Sequence, residues 1–267
     1  MNNKELNEGL WDQVILTSKF LEKLPMKKIA GNALSFNNYK NDKITGHSAL
    51  LSTLIGDVEI PKDVSYYNAC LTGYVISKAK SVGRLYEDFI INGDTSEHPT
   101  QFEGLKRLTP EKNTFKVDYL NHITKIQGSK LYDFLLVNRS FFLENKDAFI
   151  IKSPVDYLYN DSPIYITDWI EDEFIPENIW QKCRQWLSTK VSFIKPCKAN
   201  YSTVYLGKFD DGSMTKGISG IYGSANILSV ESLGAHRNKD ADVYRIKGYL
   251  GLAVFNADDI VKVRIKM

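Results

Sequence analysis

The chain has 267 residues, 43% of them hydrophobic and 25% charged, with 34 Lys and Arg against 32 Asp and Glu for a formal net charge of +2. That length can bury a large core in one or two domains, and the near-neutral balance calls for no nucleic-acid or membrane partner on global grounds. No apolar run approaches the ~20 residues of a membrane span, and the opening MNNKELNEGL lacks the form of a secretory signal.

In chain order, Asn2–Leu24 reads as one amphipathic helix. Leu6, Leu10, Val14, Leu21 and Leu24 lie broadly on one stripe, Trp11, Ile15 and Phe20 widen it, and Pro25 ends it. Lys19, Lys23, Lys27 and Lys28 cluster at its end. Gly31–Asn38 alternates in the manner of a strand, Tyr39–Leu51 turns polar, and TLIGDVEI alternates again to Ile60. Two strands around a polar tip predict a long hairpin, which has too few apolar residues for a core of its own.

The stretch Asp63–Ile91 carries the strongest local signal. Val64, Tyr67, Leu71, Tyr74/Val75, Val82, Leu85/Tyr86 and Phe89 recur at three- and four-residue steps. Asp63 and Ser65 offer N-cap oxygens, and Asn92-Gly93 offers a left-handed stop. At about 1.5 Å per residue the helix would run about 43 Å, long for a globular domain, although a plain core helix shows the same period.

Beyond it, Gly93–Leu105 is turn-rich, Lys116–Gly128 reads as a helix, and YDFLLV at Tyr132–Val137 as a buried strand. An Asn138-Arg139-Ser140 turn leads into a helix to about Lys146, and Ile164–Ile166 forms a second strand, which together suggest a small α/β layer. Pro176–Ser188 reads as a helix with Trp180, Cys183, Trp186 and Leu187 on its apolar side. Tyr201–Lys208 alternates as a strand, Asp210-Asp211-Gly212-Ser213 reads as a hairpin turn, and Val243–Phe255 is a long strand before a short terminal helix or strand.

Chemistry-bearing patterns are sparse. Cys70, Cys183 and Cys197 fit no metal spacing and no even disulfide framework, so reduced thiols are expected. His47, His98, His122 and His236 stand far apart with no acid or cysteine at ligand spacing. Asp210-Asp211-Gly212 lacks the alternating oxygens and distal Glu of a calcium loop. Gly217-x-x-Gly220-x-x-Gly223 is not a dinucleotide fingerprint, has no P-loop Lys-Ser/Thr after it, and reads as freedom in a turn. Glu171-Asp172-Glu173 reads as a solvated acidic run. There is no nucleophile elbow, so no catalytic, cofactor or metal residue is nominated.

The order of several short segments resembles the major capsid proteins of tailed bacteriophages, which have the Hong Kong 97 coat fold. These are the N-terminal helix into Leu24-Pro25, Gly31-Asn32-Ala33-Leu34 with Asn37, and Ile55–Ile60 leading into the long helix. Phe89–Asp94, Phe102-Glu103-Gly104-Leu105, Tyr132–Arg139, Ser162-Pro163-Ile164 through Thr167–Ile170, and Ser202–Leu206 follow. Val243-Tyr244-Arg245 with Tyr249–Val254 closes the series. Each motif is short and apolar; their order spans nearly the whole chain.

The resemblance implies an α+β shell protein with an N-arm over 1–36 and an extended loop over 37–60. A peripheral domain would comprise 61–128 and 236–267 around the long spine helix, and an axial domain 129–235. It implies self-assembly into hexamers and pentamers around double-stranded DNA, portal and scaffolding proteins as partners, no membrane, no cofactor and no enzymatic activity. The setting would be the virion, reached by way of the host cytoplasm. Leu10, Trp11, Tyr39, Ile44, Leu50 and Leu51 are the expected inter-subunit contacts, and Lys19, Lys23, Lys27 and Lys28 the expected lumen- or DNA-facing residues. The loop Tyr39–Leu54 is short for the family and Glu171–Lys198 is long. No scaffold-like domain precedes the arm, which implies a separate scaffold. Lys40 and Lys43 near the tip have no local pattern for covalent cross-linking. Two further readings stay open: an encapsulin-like compartment of the same fold, and an α/β enzyme or ligand-binding domain with scattered site residues.

Overall fold

The computed structural model describes residues 9–40, 43–65, 68–127, 132–153, 156–176 and 198–267. These divide into a first unit, Met1–Pro110 with Gly207–Ile260, and a second, Glu111–Leu206 with Val261–Met267. These units are drawn differently from the expected 61–128/236–267 and 129–235: residues 111–127 and 261–267 group with the second unit and 207–235 with the first, because their strand partners lie there.

Among the described residues the expected single N-terminal helix over Asn2–Leu24 is broken into α1 (Leu10–Ile15) and α2 (Lys19–Lys23). Local hydrogen bonds make the break. Thr17 Oγ1 donates to the Val14 carbonyl at 2.6 Å, and the Ser18 hydroxyl accepts from Leu21 N–H at 3.2 Å, so Ser18 caps a new helix. Leu6 lies outside the described residues. The apolar stripe survives the break: Leu10, Val14, Phe20, Leu21 and Leu24 are all buried.

Lys27 and Lys28 do not continue a helix; they lie on β1 (Met26–Lys28), which pairs in parallel with residues 220–222. Next comes the hairpin, with different arms from those expected. Strand β2 (Ala33–Lys40) pairs with β3 (Lys43–Leu50), the polar stretch taken for a tip. Residues 52–61 form a separate strand, β4 (Ser52–Pro61). It joins the core sheet with its buried Ser52, Leu54, Gly56 and Ile60 on one face and Thr53, Ile55, Asp57 and Glu59 on the other.

The long helix is present as α3 (Lys62–Ser65) and α4 (Asn68–Asn92), the latter 25 residues or about 37 Å. Tyr67 lies outside the described residues. Asp63 is within α3 and not its cap. Leu71, Val75, Ala79, Val82, Tyr86 and Ile90 are buried at three- and four-residue steps, whereas Tyr74 and Leu85 face out. Gly93 does not stop the helix by left-handed geometry, since its φ is not positive. It is glycine because the chain passes too close for a side chain: a Cβ there would overlap the Phe102 carbonyl oxygen and lie 2.6 Å from that of Phe89. The turn-rich stretch then leads through α5 (Leu105–Leu108).

The second unit opens on β5 (Thr114–Val117), so the expected helix over 116–128 is only a 3-10 turn and α6 (Ile123–Gln127). Strand β6 (Phe134–Asn138) is buried at all five positions, as its sequence predicts. Asn138 caps α7 (Arg139–Glu144), accepting from Phe141 N–H at 2.6 Å. Strands β7 (Ile150–Ser153), β8 (Asp156–Tyr159) and β9 (Ser162–Thr167) follow, with β9 parallel to β6, the expected α/β layer. Next are β10 (Glu173–Pro176) and β11 (Lys198–Gly207); the expected helix over 176–188, with Cys183, and Cys197 lie outside the described residues.

Asp210–Ser213 is not a β-hairpin turn, because β11 and the next strand, β12 (Ile218–Tyr222), belong to different sheets. Strands β13 (Ser229–Ala235) and β14 (Ala241–Val254) complete the first unit's sheet. The long β14 pairs with β4 on one side and with β13 and then β12 on the other. Helix α4 covers that sheet, and Gly56 lets it approach: a Cβ there would lie 2.8 Å from Lys78 and Val82 side-chain atoms. The chain ends in β15 (Ile260–Lys266), so the second unit's sheet runs β5-β15-β11-β6-β9-β8-β7, with β10 on β11.

Candidate functional site

Among the described residues no group of His, Cys, Asp or Glu could hold a metal ion, and no helix is long and apolar enough to cross a membrane. His236 is 3.5 Å from Glu59 and accepts from Asn238 N–H, while His47 stacks on Phe36.

The arm is seated on its own unit. Leu10 is 3% exposed and Trp11 packs edge-on to Tyr86 with ring centroids 6.2 Å apart. Gly83 of α4 lies directly under Val14, so close that a Cβ would overlap Val14 Cγ1. Leu10 is thus spent within its own unit, while Trp11 keeps part of its surface exposed. Tyr86 anchors the arrangement from beneath, donating its buried hydroxyl to the Gly251 carbonyl at 2.8 Å. Burial pushes that phenol far above its ordinary range.

At the hairpin, the side chains of Tyr39 and Ile44 lie outside the described residues, though their backbones pair with one another. The base is docked: Phe36 meets Phe255 at 5.1 Å, and Ala49 is buried. Leu51 is half-buried, with its Cδ1 in the space a side chain at Gly223 would need. Leu50 is 52% exposed. It lines a cavity of ≈ 140 Å³ between the hairpin base, the 95–108 segment and β14, with Phe36, His47, Phe102 and Leu252 among its walls.

The four lysines are not one cluster. Lys19 and Lys23 flank Glu22 at 2.8 and 3.3 Å, and the Lys19 ammonium holds that carboxyl below its usual range. Lys27 and Lys28 are neighbours on a strand and so point to opposite faces.

Of the acidic run at 171–173 only Glu171 is exposed; Asp172 and Glu173 are half-buried and engaged. Asp172 Oδ1 accepts from Asn138 Nδ2 at 2.9 Å and from the Ser202 hydroxyl at 2.7 Å. Glu173 pairs with Lys262, which is 5% exposed, and with Arg264 at 2.6 Å. Burial pushes the Glu173 carboxyl up, but the two cations outweigh it and the net displacement is downward.

Surfaces that the sequence pattern did not single out lie in the second unit. Phe115, Tyr119, Leu143, Ile150 and Ile151 are all exposed there. Adjacent Ile150-Ile151 in a short segment was the available signal, since a strand with one buried face does not need both.

Neither family models nor curated sequences match this chain. Solved structures do. An encapsulin complex, holo-SrpI of Synechococcus elongatus PCC 7942, aligns with a TM-score of 0.66 at 14% identity, covering 92% of this chain and 86% of that one. A virus-like particle from Pyrococcus furiosus aligns at 0.60 and 11% identity, covering 97% and 98%. The procapsid of satellite phage P4 aligns at 0.57 and 9% identity, covering 97% and 90%. At such identities the likeness establishes architecture. The chain has the α+β Hong Kong 97-like capsid fold, the fold of phage capsid subunits and encapsulins.

Proposed function

We propose that this chain is the major capsid protein of a tailed bacteriophage, assembling as hexamers and pentamers into an icosahedral shell around double-stranded DNA. The observation that carries the reading is the match to particle-forming subunits over 89% or more of the chain. Its role is structural, with no catalytic step. In this reading the first unit's α4 and its sheet are the peripheral domain and the second unit is the axial domain. The β2–β3 hairpin is the extended loop, with Tyr39, Ile44 and the exposed Leu50 reaching a neighbour while Leu51 holds its base. Lys19, Lys23 and whichever of the opposed strand neighbours Lys27 and Lys28 faces inward give the inner wall a diffuse, sequence-independent contact with packaged DNA that weakens steeply with salt. Portal and scaffolding proteins are the further partners, and the mature location is the virion.

A second reading, a compartment shell enclosing protein cargo, is favoured by the alignment with holo-SrpI. The contents of the particle separate the two. Particles isolated from the source cells and treated with nuclease are extracted and assayed for double-stranded DNA and for co-purifying proteins. Protected genome-length DNA supports the capsid; DNA-free particles filled with one abundant second protein replace it with the compartment.

A further inference from the structure

Among the described residues three non-glycine residues have a left-handed backbone: Asn160 at a φ of 47°, Asp161 at 62° and Met214 at 58°. Asn and Asp tolerate that region, whereas a longer side chain there stores strain that the surroundings must hold. The loop between β11 and β12 holds it with carboxylates. Asp210 Oδ1 accepts from Met214 N–H at 3.0 Å, Asp211 Oδ1 from Ser213 N–H at 3.0 Å, and Asp259 Oδ2 from Gly217 N–H at 3.1 Å. What the strained backbone achieves is the placement of one side chain. Met214 packs against an apolar cluster that includes Phe255, and the hairpin base contributes Leu34, Phe36, Ala49 and Leu51 to the same cluster. Met214 is half-buried while Ser213 and Thr215 beside it are exposed, so its side chain runs from a solvent-facing loop into that cluster.

We propose that Met214 is a modification site, an oxidation-sensitive clasp: conversion of its thioether to the sulfoxide frees the loop from the cluster and loosens the base of the β2–β3 hairpin. The oxidant is hydrogen peroxide. The sulfur attacks one peroxide oxygen, an S–O bond forms as the O–O bond breaks, and the sulfur gives up two electrons. The departing hydroxide takes the proton from the transferred oxygen and leaves as water. The product replaces a flexible apolar group by a polar one whose oxygen demands hydrogen bonds. An apolar cluster offers none, so the sulfoxide turns out to water and the anchorage that offset the strain is lost. The change is reversible, because methionine sulfoxide reductases restore the thioether. The other described methionines are placed differently: Met267 is 45% exposed after β15, and Met26 lies on β1 with its Sδ 3.9 Å from the Tyr86 hydroxyl. Release of the hairpin base stands on its own; its effect on assembly rests on the shell reading above.

The test treats dissociated wild-type subunits with hydrogen peroxide, follows each methionine by peptide mass spectrometry, and measures hydrogen exchange before and after. Oxidation at Met214 should speed exchange of the amides of 33–36 and 48–51 at least tenfold and leave those of 75–90 unchanged. A methionine sulfoxide reductase with its thiol reductant should reverse the effect. Met214→Leu keeps the apolar bulk without the oxidisable sulfur, and its hairpin should stay protected through the same treatment. Met214→Gln, polar and of similar length, should show the faster exchange with no peroxide at all. Oxidised wild-type subunits should also lose at least fivefold in particle yield and recover it on reduction. Unchanged hairpin exchange in protein fully oxidised at Met214 overturns the proposal, as does a Met214 left unoxidised when Met267 is fully converted. So does a Met214→Leu hairpin that loosens in peroxide as much as the wild type, which would move the effect to another methionine. Wild-type protein that never assembles overturns the shell reading itself, while the exchange result still decides the clasp.

Discussion

The seating of the arm on α4 makes a quantitative prediction at Gly83. An exposed glycine inside a helix costs about 1 kcal/mol relative to alanine, so Gly83→Ala at a free surface would stabilise the protein. Here the new methyl would overlap Val14 Cγ1 and stand 3.4 Å from Val14 Cβ. Overpacking of this kind costs about 1–3 kcal/mol, which outweighs the helix gain and leaves a net loss of about 1 kcal/mol. Val14→Ala removes two buried methyls at about 0.8 kcal/mol each and leaves a cavity, for a loss of about 2–3 kcal/mol. In the double variant the methyl introduced at position 83 occupies the space Val14 vacated, the overlap is gone and the helix gain remains. The loss should fall to about 1–2 kcal/mol instead of the additive sum of about 3–4 kcal/mol, a coupling of about 2 kcal/mol. Urea unfolding of dissociated subunits, followed by tryptophan fluorescence and circular dichroism, measures all four corners. Additivity within about 0.5 kcal/mol, or a stabilising Gly83→Ala, would show that α1 does not rest on α4.

Removing residues 1–24 should abolish the folded subunit and not merely its assembly. It strips Leu10, Val14, Phe20, Leu21 and Leu24 from the core, at about 1.5–3 kcal/mol each, a loss comparable to the whole stability of a domain; soluble, cooperatively unfolding truncated protein would contradict this. Glu173→Gln leaves the buried Lys262 ammonium without its carboxylate and should cost about 3 kcal/mol by denaturant titration. Because the Glu173 pKa lies below its ordinary 4.5 when folded, its contribution is fully present above about pH 4.5 and is lost as pH falls through the lower folded value. The variant should lose that acid-side slope, and an unchanged slope would assign it to other carboxylates. Gly93→Ala should cost about 3 kcal/mol, at the upper end for overpacking, because the obstruction is backbone carbonyl and not a movable side chain; a thermal midpoint equal to wild type would refute the close approach.

What was legible in the sequence was what the chain encodes locally. The three- and four-residue steps of Leu71 to Ile90 specify a helix wherever it packs, and Phe134–Val137 with Asn138 specify a buried strand and the cap of the next helix. The hairpin's second arm, KITGHSAL, is not legible locally because it is polar and reveals itself as a strand only by pairing with Ala33–Lys40. Strand β4 was given to the hairpin because its real partner, β14, lies far off in sequence, 188 residues at the Asp57–Arg245 pair. The break at Ser18 was hidden by a hydrophobic stripe that both helices share. Gly220 and Gly223 have the spacing of turn residues, yet Gly220 lies within a strand where a Cβ would stand 2.6 Å from Tyr86 Oη, a constraint that exists only after folding. Glu171–Glu173 reads as a solvated run until Asn138, Ser202 and Lys262 converge on it from three other strands.

The proposed role is that copies of this one chain build a closed shell. Purified wild-type protein, taken through a salt and concentration series and examined by electron microscopy together with analytical ultracentrifugation, tests it most directly. Uniform closed particles, or rings of five and six subunits that convert into them, are the expected outcome. A single 30.4 kDa species under every condition would contradict it.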